Sequence, residues 1–145
     1  MLKKTITYTD YNGNVRTEEH YFNLSDAEII EMETSISGGF SETLQKLINE
    51  QNMPEIMRIV REIVHTAYGE KSADGKYFSK TDATTGRKLI DRFKETEAYS
   101  QLIMDLTFDA TEASNFVNGI MPANFDKKIQ EYARKQQALA ASKTE

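Results

Sequence analysis

The chain has 145 residues, 39% of them hydrophobic and 28% charged, with two His, no Cys and a net charge of −5 at pH 7. This length fits one domain, and the absence of thiols excludes disulfides, thiolate metal sites and cysteine nucleophiles. No apolar run approaches the roughly 18 residues of a membrane span and the balance of charge is acidic, so we expect a cytoplasmic protein with no signal peptide, membrane segment or nucleic-acid partner.

Residues 3–23 predict a β-hairpin, because two segments rich in Thr, Tyr and Ile flank the turn signal Asn12-Gly13. A two-residue loop would pair Tyr8 with Thr17, and a three-residue loop would pair Tyr8 with Glu18. Both registers stay open at this point. Because a two-stranded hairpin is marginal in water, it must pack on helices or pair with another chain.

A first helix is predicted to begin after Ser25 and to end near Thr34. Ser25 is the expected N-cap and Glu28 completes a capping box, while Leu24 and Ile29 have the spacing of a hydrophobic staple. The segment Ser37-Gly38-Gly39 should break the helix. A second helix is predicted after Ser41, with apolar residues at helical spacing: Phe40, Leu44, Leu47 and Ile48.

A third helix begins at Asn52-Met53-Pro54-Glu55, where Asn is the expected cap and Pro occupies the first turn. Gly69 has the position of a C′ glycine after this helix. The helix has the clearest apolar stripe of the chain, formed by Met53, Ile56, Met57, Val60, Ile63, Val64 and Ala67.

Residues 70–82 are predicted to form a polar loop with a turn at Asp74-Gly75. Further helices are predicted around residues 89–93, after the cap Thr96, and after the capping box that begins at Asp109. Their inward residues should be Leu89, Ile90, Phe93, Tyr99, Leu102, Ile103, Leu106, Phe116, Val117 and Ile120. Residues 124–141 favour a helix with few apolar residues, whose second half should fray or await a partner.

These elements predict an α+β fold, mostly α, in which an N-terminal β-hairpin packs on a bundle of five to seven short helices. We expect one globular domain over residues 1–122, with the hairpin at 3–23 and the helices at 25–122. Residues 123–145 should form a partly flexible C-terminal helix or tail.

Charge is unevenly spread along the chain. No Lys or Arg occurs between Thr17 and Gln45, a stretch with seven acidic residues, whereas residues 126–145 carry five basic and three acidic groups. An acidic front and a basic tail would favour head-to-tail contact between copies. A solvated face and a soluble tail are the simpler interpretation.

No catalytic, cofactor-binding or metal-binding constellation stands out. His20 and His65 lack partners at metal-ligand spacing, and a cationic His65 near a helix end would be favoured by the helix dipole. Glu28 and Glu31 share a helix face, but acids in a first turn are explained by the same dipole. The segment Ser37-Gly38-Gly39 lacks the glycine spacing and lysine of a phosphate loop. We therefore predict no enzyme and no cofactor.

Methionine is the residue type that offers an alternative to plain core packing. Met53 and Met57 lie on the third helix, and Met104 and Met121 follow downstream. Core packing is the default interpretation. Because methionine adapts to irregular partners, the alternative is a pliable groove for an apolar segment of another protein.

Five segments in fixed order resemble the tail assembly chaperones of long-tailed (siphovirus-like) bacteriophages and prophages. They are Thr5–Gly13, Tyr21–Ile29, Ala67–Ser72 with Asp74-Gly75, Glu95–Ser100 and Ala113–Pro122. No single segment has a chemical signature, so the specificity comes from their order. The tail beyond Pro122 is not covered by the resemblance.

The resemblance implies a non-enzymatic assembly factor in the cytoplasm of the infected or lysogenic host. Such a protein binds the tape measure protein while the tail tube polymerises around it, and it is absent from the mature virion. The tail tube protein and a second copy of the chain are further expected partners. The predicted partner-binding residues are Met53, Met57, Val60, Val64, Phe125, Ile129 and Tyr132.

Two other function classes stay open. A structural tail or head–tail joining protein, retained in the virion, would use an unpaired hairpin edge for ring assembly. A small enzyme or a nucleic-acid-binding regulator is disfavoured by the acidic pI near 5.2 and the missing motifs.

Overall fold

The computed structural model of the chain describes residues 1–35, 39, 42–43, 46, 49–120, 134–135 and 137–141. The predicted second helix, with Phe40, Leu44, Leu47 and Ile48, lies largely outside these residues. The elements with defined bounds among the described residues are β1 (Leu2–Thr9), β2 (Val15–Phe22), α1 (Asp26–Ser35), α2 (Met53–Ala67), β3 (Tyr68–Lys71), β4 (Phe78–Ser79), α3 (Leu89–Phe93), α4 (Glu97–Phe108) and α5 (Ala110–Ile120).

The predicted hairpin is confirmed, but both registers considered for it are wrong. Tyr8 pairs with Arg16, and the loop contains residues 11–13 between Asp10 and Asn14. The backbone N–H of Asp10 donates to the carbonyl of Asn14 over 2.8 Å, and this bond closes the loop.

The chemistry of Asp10 explains this register. Its carboxylate accepts hydrogen bonds from the backbone N–H groups of Asn12 and Asn14, both at 2.9 Å. The Gly13 N–H donates to the Asp10 carbonyl, and Gly13 has φ +82°. A turn followed by a left-handed glycine is the usual geometry of a three-residue hairpin loop, so Asn12-Gly13 is part of the loop without being the whole of it.

The hairpin is extended to a four-stranded antiparallel sheet in the order β1-β2-β3-β4. β3 pairs with β2 through Tyr21–Gly69 and Phe22–Tyr68, and β4 pairs with β3. The prediction of a continuous polar loop over residues 70–82 is therefore wrong at both of its strand segments. The turn at Asp74-Gly75 is confirmed, with Gly75 at φ +76°.

Gly69 is not a C′ glycine, because it belongs to β3 and does not have a positive φ. Helix α2 ends when Tyr68 adopts an extended conformation with φ −62° and ψ 135°. Tyr68 then pairs with Phe22 on β2. Strand pairing, and not a left-handed residue, terminates this helix.

The predicted helix starts are mostly confirmed. Ser25 and Glu28 exchange the two hydrogen bonds of a capping box, and the Asn52 side chain accepts from the Glu55 N–H. Asp109 caps α5 by accepting from the N–H groups of its first turn. Thr96 precedes α4, but its hydroxyl donates back to the Phe93 carbonyl and does not cap the helix.

The core lies between the inner face of the sheet and the helices. Burial along β1 has the period of two expected for a sheet with one covered face, and α4 and α5 both contact β1. An ion pair of 2.8 Å between Lys4 and Glu112 also joins β1 to α5. The buried apolar residues are Ile6, Phe22, Leu24, Ile29, Met57, Ile59, Val60, Ile63, Val64, Ala67, Ile90, Phe93, Ala98, Leu102, Leu106, Phe116 and Ile120.

These features confirm the predicted fold class, α+β and mostly α. The hairpin packs on helices, which was one of its two predicted ways to become stable. The predicted inward residue Ile103 is only partly buried, and Ile59, which lies outside the predicted stripe of α2, is buried.

Candidate functional surface

The predicted partner-binding face of α2 is mostly core. Met57, Val60 and Val64 are buried, whereas Met53, in the first turn, is 50% exposed. Helix α2 is covered on a broad face, because Ile59 and Ile63 are buried as well. Of the predicted residues on this helix, Met53 is therefore the one that a partner reaches in this conformation.

The remaining predicted partner-binding residues are Phe125, Ile129 and Tyr132. All three lie outside the described residues. Their assignment as partner contacts stays a prediction.

Helix α4 presents an exposed apolar pair. Met104 was named with the methionines of the alternative groove, whereas Phe108 was not predicted. Phe108 is 85% exposed and Met104 is 48% exposed. The two residues are one helical turn apart, so they lie on the same face. Leu102 and Leu106 are buried on the face of α4 that packs into the core. We call Met104 and Phe108 the α4 apolar pair.

The junction after α4 keeps Phe108 at the surface. The Asp109 N–H donates to the Asp105 carbonyl at the end of α4, and Asp109 then caps α5. One residue joins the two helices, so Phe108 lies at the end of α4. A signal for this surface was present in the sequence: the predicted inward stripe of α4 left two large apolar residues facing outward.

A cleft lies between β2 and β3, and we call it the interstrand cleft. Pairing between the two strands stops at Tyr21–Gly69, and residues on both sides beyond this point line a cleft of about 490 Å³. Its lining includes Glu18, His20, Tyr68, Glu70 and Lys71.

His20 lies in the wall of this cleft between Tyr68 and Glu18. Its Nδ1 atom lies 3.3 Å from the Tyr68 hydroxyl oxygen, and its Nε2 atom lies 3.6 Å from a Glu18 oxygen. The second distance is too long for a hydrogen bond, so within the described residues the buried Nε2 has no hydrogen-bond partner. Burial lowers the pKa of His20, and this effect outweighs the opposing charge of Glu18.

The Tyr68 hydroxyl at Nδ1 and the Glu18 carboxylate on the Nε2 side favour one tautomer of His20. Burial raises the pKa of Tyr68 to about 12, so its hydroxyl is protonated at neutral pH and can donate to Nδ1. A neutral His20 that accepts through Nδ1 carries its proton on Nε2. Glu18 itself accepts a hydrogen bond of 2.6 Å from the Tyr8 hydroxyl.

His65 is located at the end of α2, as predicted, but the charge expected there is not favoured. Its Nε2 atom lies 2.6 Å from the Tyr99 hydroxyl. Burial, followed by the positive charges of Lys94 and Arg61, lowers the pKa of His65. These effects oppose the helix dipole, which alone would favour the cation.

Glu28 is a structural residue at the start of α1, in agreement with its interpretation from the sequence. It caps the helix and accepts a hydrogen bond of 2.5 Å from Lys80. Although burial acts to raise the pKa of Glu28, the bonds from Lys80 and Ser25 outweigh it and hold the pKa below its usual range.

Among the described residues, no three His, Cys, Asp or Glu side chains are grouped so that they could hold a metal ion. No helix in the described part of the chain is long and apolar enough to span a membrane.

Comparison with known proteins supplies the biological context of these surfaces. A family model described as "Phage tail assembly chaperone" matches residues 1–145. No curated protein and no solved structure matches the chain.

Proposed function

Because this chain belongs to the phage tail assembly chaperone family, we propose that it binds the tape measure protein and assists assembly of the tail tube around it. The family match over the whole chain is the observation that carries this proposal. The proposed role is non-enzymatic and needs no cofactor. It is exercised in the cytoplasm of the infected or lysogenic host, and the chain is absent from the mature virion.

The α4 apolar pair is the proposed contact for the tape measure protein. A tape measure protein is long and rich in amphipathic helices, so it exposes apolar surface until the tube encloses it. Phe108 and Met104 offer an aromatic and an adaptable thioether side chain on one exposed helix face. A small contact of this kind suits a chaperone, because a low buried area favours weak and reversible binding.

The other predicted contacts are part of the same proposal. Met53 is accessible as it stands, and Phe125, Ile129 and Tyr132 would contribute from the C-terminal segment. Met57, Val60 and Val64 are core residues in this conformation. They would reach a partner only if α2 moved away from the helices that cover it.

We further propose that the tail tube protein and a second copy of the chain are partners. We propose that the chain binds neither nucleic acid nor a membrane. Residues 1–122 would act as the folded body and residues 123–145 as the segment that awaits a partner. The described body contains the hairpin, α1, α2 and the α3–α5 helices.

The experiment that tests this proposal compares infected cells with purified mature particles by quantitative mass spectrometry. A chaperone is abundant in the cell extract and missing from the particles. A high, stoichiometric copy number in the particles would reject the proposal in favour of a structural tail or head–tail joining protein.

A further inference from the structure

The N-terminal hairpin has two strand edges that lack a complete partner. β1 is the terminal strand of the sheet, so no described strand pairs with its outer edge. On β2, pairing with β3 is limited to Tyr21 and Phe22, and residues 15–20 have no partner strand on that side within the described part of the chain. The interstrand cleft lies along this second edge.

The backbone groups that face these edges follow from the register of the hairpin. In an antiparallel ladder, successive residues direct their N–H and C=O groups to opposite sides. Asp10 bonds to Asn14 across the hairpin, so the even-numbered residues of both strands bond within it. The odd-numbered residues face outward, and the bond from the Asn23 N–H to the Ala67 carbonyl agrees with this parity.

We propose that the chain self-associates head to tail, with β1 of a second copy pairing antiparallel with the part of β2 that β3 does not pair. The paired residues would be Lys3 of the second copy with Glu19, Thr5 with Thr17, and Thr7 with Val15. Each of these residues directs its backbone groups to a free edge, so every pair exchanges two hydrogen bonds.

Charge selects this register over its neighbours. It places Lys3 of the second copy opposite Glu19. Glu19 already lies 3.4 Å from Lys3 of its own chain, but its side chain is half exposed and can accept a second lysine. A shift of two residues toward β3 would place Lys3 opposite Tyr21, where Gly69 already pairs.

The opposite shift is disfavoured by like charges. It would place Lys4 of the second copy opposite Arg16. A symmetric pairing of two β1 strands places no acidic residue opposite either lysine, because β1 contains none. The occupant with the best match to the edge of β2 is therefore β1 of another copy.

This geometry has two consequences. The contact is heterologous, so a pair of copies retains one free β1 edge and one free β2 edge, and the assembly stays open unless its rotation closes a ring. Because exposed ion pairs help to set the register, association should weaken as salt increases. The inference deepens the self-association part of the proposed function, and it is independent of tape measure binding.

The test uses two proline variants of the full-length chain without any partner protein. Thr7→Pro removes the outward N–H of β1, and Thr17→Pro removes the outward N–H of β2. Proline is tolerated where the lost N–H faces away from the ladder. The matched controls are Thr7→Val and Thr17→Val, which retain the N–H. Oligomeric state is measured over a concentration series at low salt by size-exclusion chromatography with light scattering.

The proposal predicts that the unmodified chain and both valine controls form oligomers and that each proline variant is a monomer. An equimolar mixture of the two proline variants should form a 1:1 dimer, because each supplies the edge that the other lacks. A monomeric unmodified chain would overturn the proposal. Association of Thr17→Pro would overturn it as well, in favour of symmetric β1 pairing.

Charge reversal provides a second test if a proline variant fails to fold, as judged by circular dichroism. Lys3→Glu and Glu19→Lys should each weaken self-association by at least about tenfold, and a mixture of the two should restore it. Lys88→Glu makes the same charge change away from the hairpin and should have no effect. Equal weakening by Lys88→Glu, or no recovery on mixing, would refute the register.

Discussion

Gly69 lies against the ring of Phe78, and the space between them cannot hold a side chain. A Cβ atom at Gly69 would overlap the Phe78 ring and would lie 2.5 Å from the carbonyl oxygen of Ser79. This close contact joins β3 to β4 at the place where β3 also pairs with Tyr21 of β2. The requirement for glycine here comes from packing, since the φ of Gly69 is not positive.

We predict that Gly69→Ala destabilises the protein by about 1–3 kcal/mol, the usual cost of forcing an extra carbon into a packed site. Chemical denaturation measures the effect. Gly119→Ala is the matched control, because its Cβ would meet only the flexible Leu2 side chain and a helical Ala is favoured over Gly. An equal loss in both variants would contradict the packing argument.

A second prediction concerns pH. Burial lowers the pKa of His20 and of His65, so below pH of about 6.5 the unfolded chain binds more protons than the folded chain. Stability should therefore fall as the pH falls from 7.5 to 5.5, by at most about 1.4 kcal/mol per pH unit for each histidine. Glu28, whose pKa is also lowered, contributes only at more acidic pH.

Denaturation curves of the unmodified chain and of His20→Gln at pH 7.5 and 5.5 test this sign. His20→Gln loses contacts, so its free energy of unfolding will differ from that of the unmodified chain at both pH values. The informative quantity is therefore the change in this free energy between pH 7.5 and pH 5.5. We expect a smaller loss on acidification for His20→Gln. An identical loss would show that the pKa of His20 does not differ between the folded and unfolded states.

Much of the local structure could be predicted from the sequence, whereas the contacts distant in sequence could not. The capping box at Ser25, the cap at Asp109 and the hairpin loop near Gly13 each depend on residues a few positions apart, so they can be recognised from the sequence alone. The reciprocal half of the box predicted at Asp109 does not form, because the Asp109 N–H donates to the Asp105 carbonyl. β3 and β4 were missed because they are short and polar. Their place in the sheet depends on Gly69 meeting Tyr21, far away along the chain.

The accessible binding residues could not be predicted from the sequence for the same reason. The stripe on α2 correctly marked an apolar face, but periodicity does not say whether that face meets the core or a partner. Met57 and Val64 meet the core. Phe108 is exposed because α4 ends at the junction with Asp109 and because Leu106, on the other face of α4, is buried in the core. Both features are defined only once the helices have packed together.

The third prediction tests the α4 apolar pair. The double variant Met104→Ser/Phe108→Ser should weaken binding of the tape measure protein by about tenfold or more. Its free energy of unfolding should change by less than about 0.5 kcal/mol, because both side chains are exposed. Calorimetric titration and chemical denaturation measure the two quantities.

Tyr77→Ser is the matched control for this variant. Tyr77 is another exposed aromatic residue, and it lies in the turn before β4. If Tyr77→Ser weakens tape measure binding as strongly as the α4 variant, the binding surface has been misplaced.

A fourth prediction concerns the C-terminal segment. Deleting residues 126–145 should leave the melting temperature unchanged while weakening binding of the tape measure protein or assembly. The predicted tail is weakly apolar and is proposed to await a partner. Thermal denaturation monitored by circular dichroism gives the first quantity and the binding assay gives the second. A drop in melting temperature in proportion to the lost binding would show that the segment belongs to the core.

Binding of the tape measure protein is tested most directly by co-expressing this chain with the tape measure protein encoded nearby. The products are then separated by size-exclusion chromatography with light scattering. We expect a soluble complex in which several copies of this chain co-elute with the tape measure protein. The contrary result would be a lone, monodisperse population of this chain, with the tape measure protein left in the insoluble fraction.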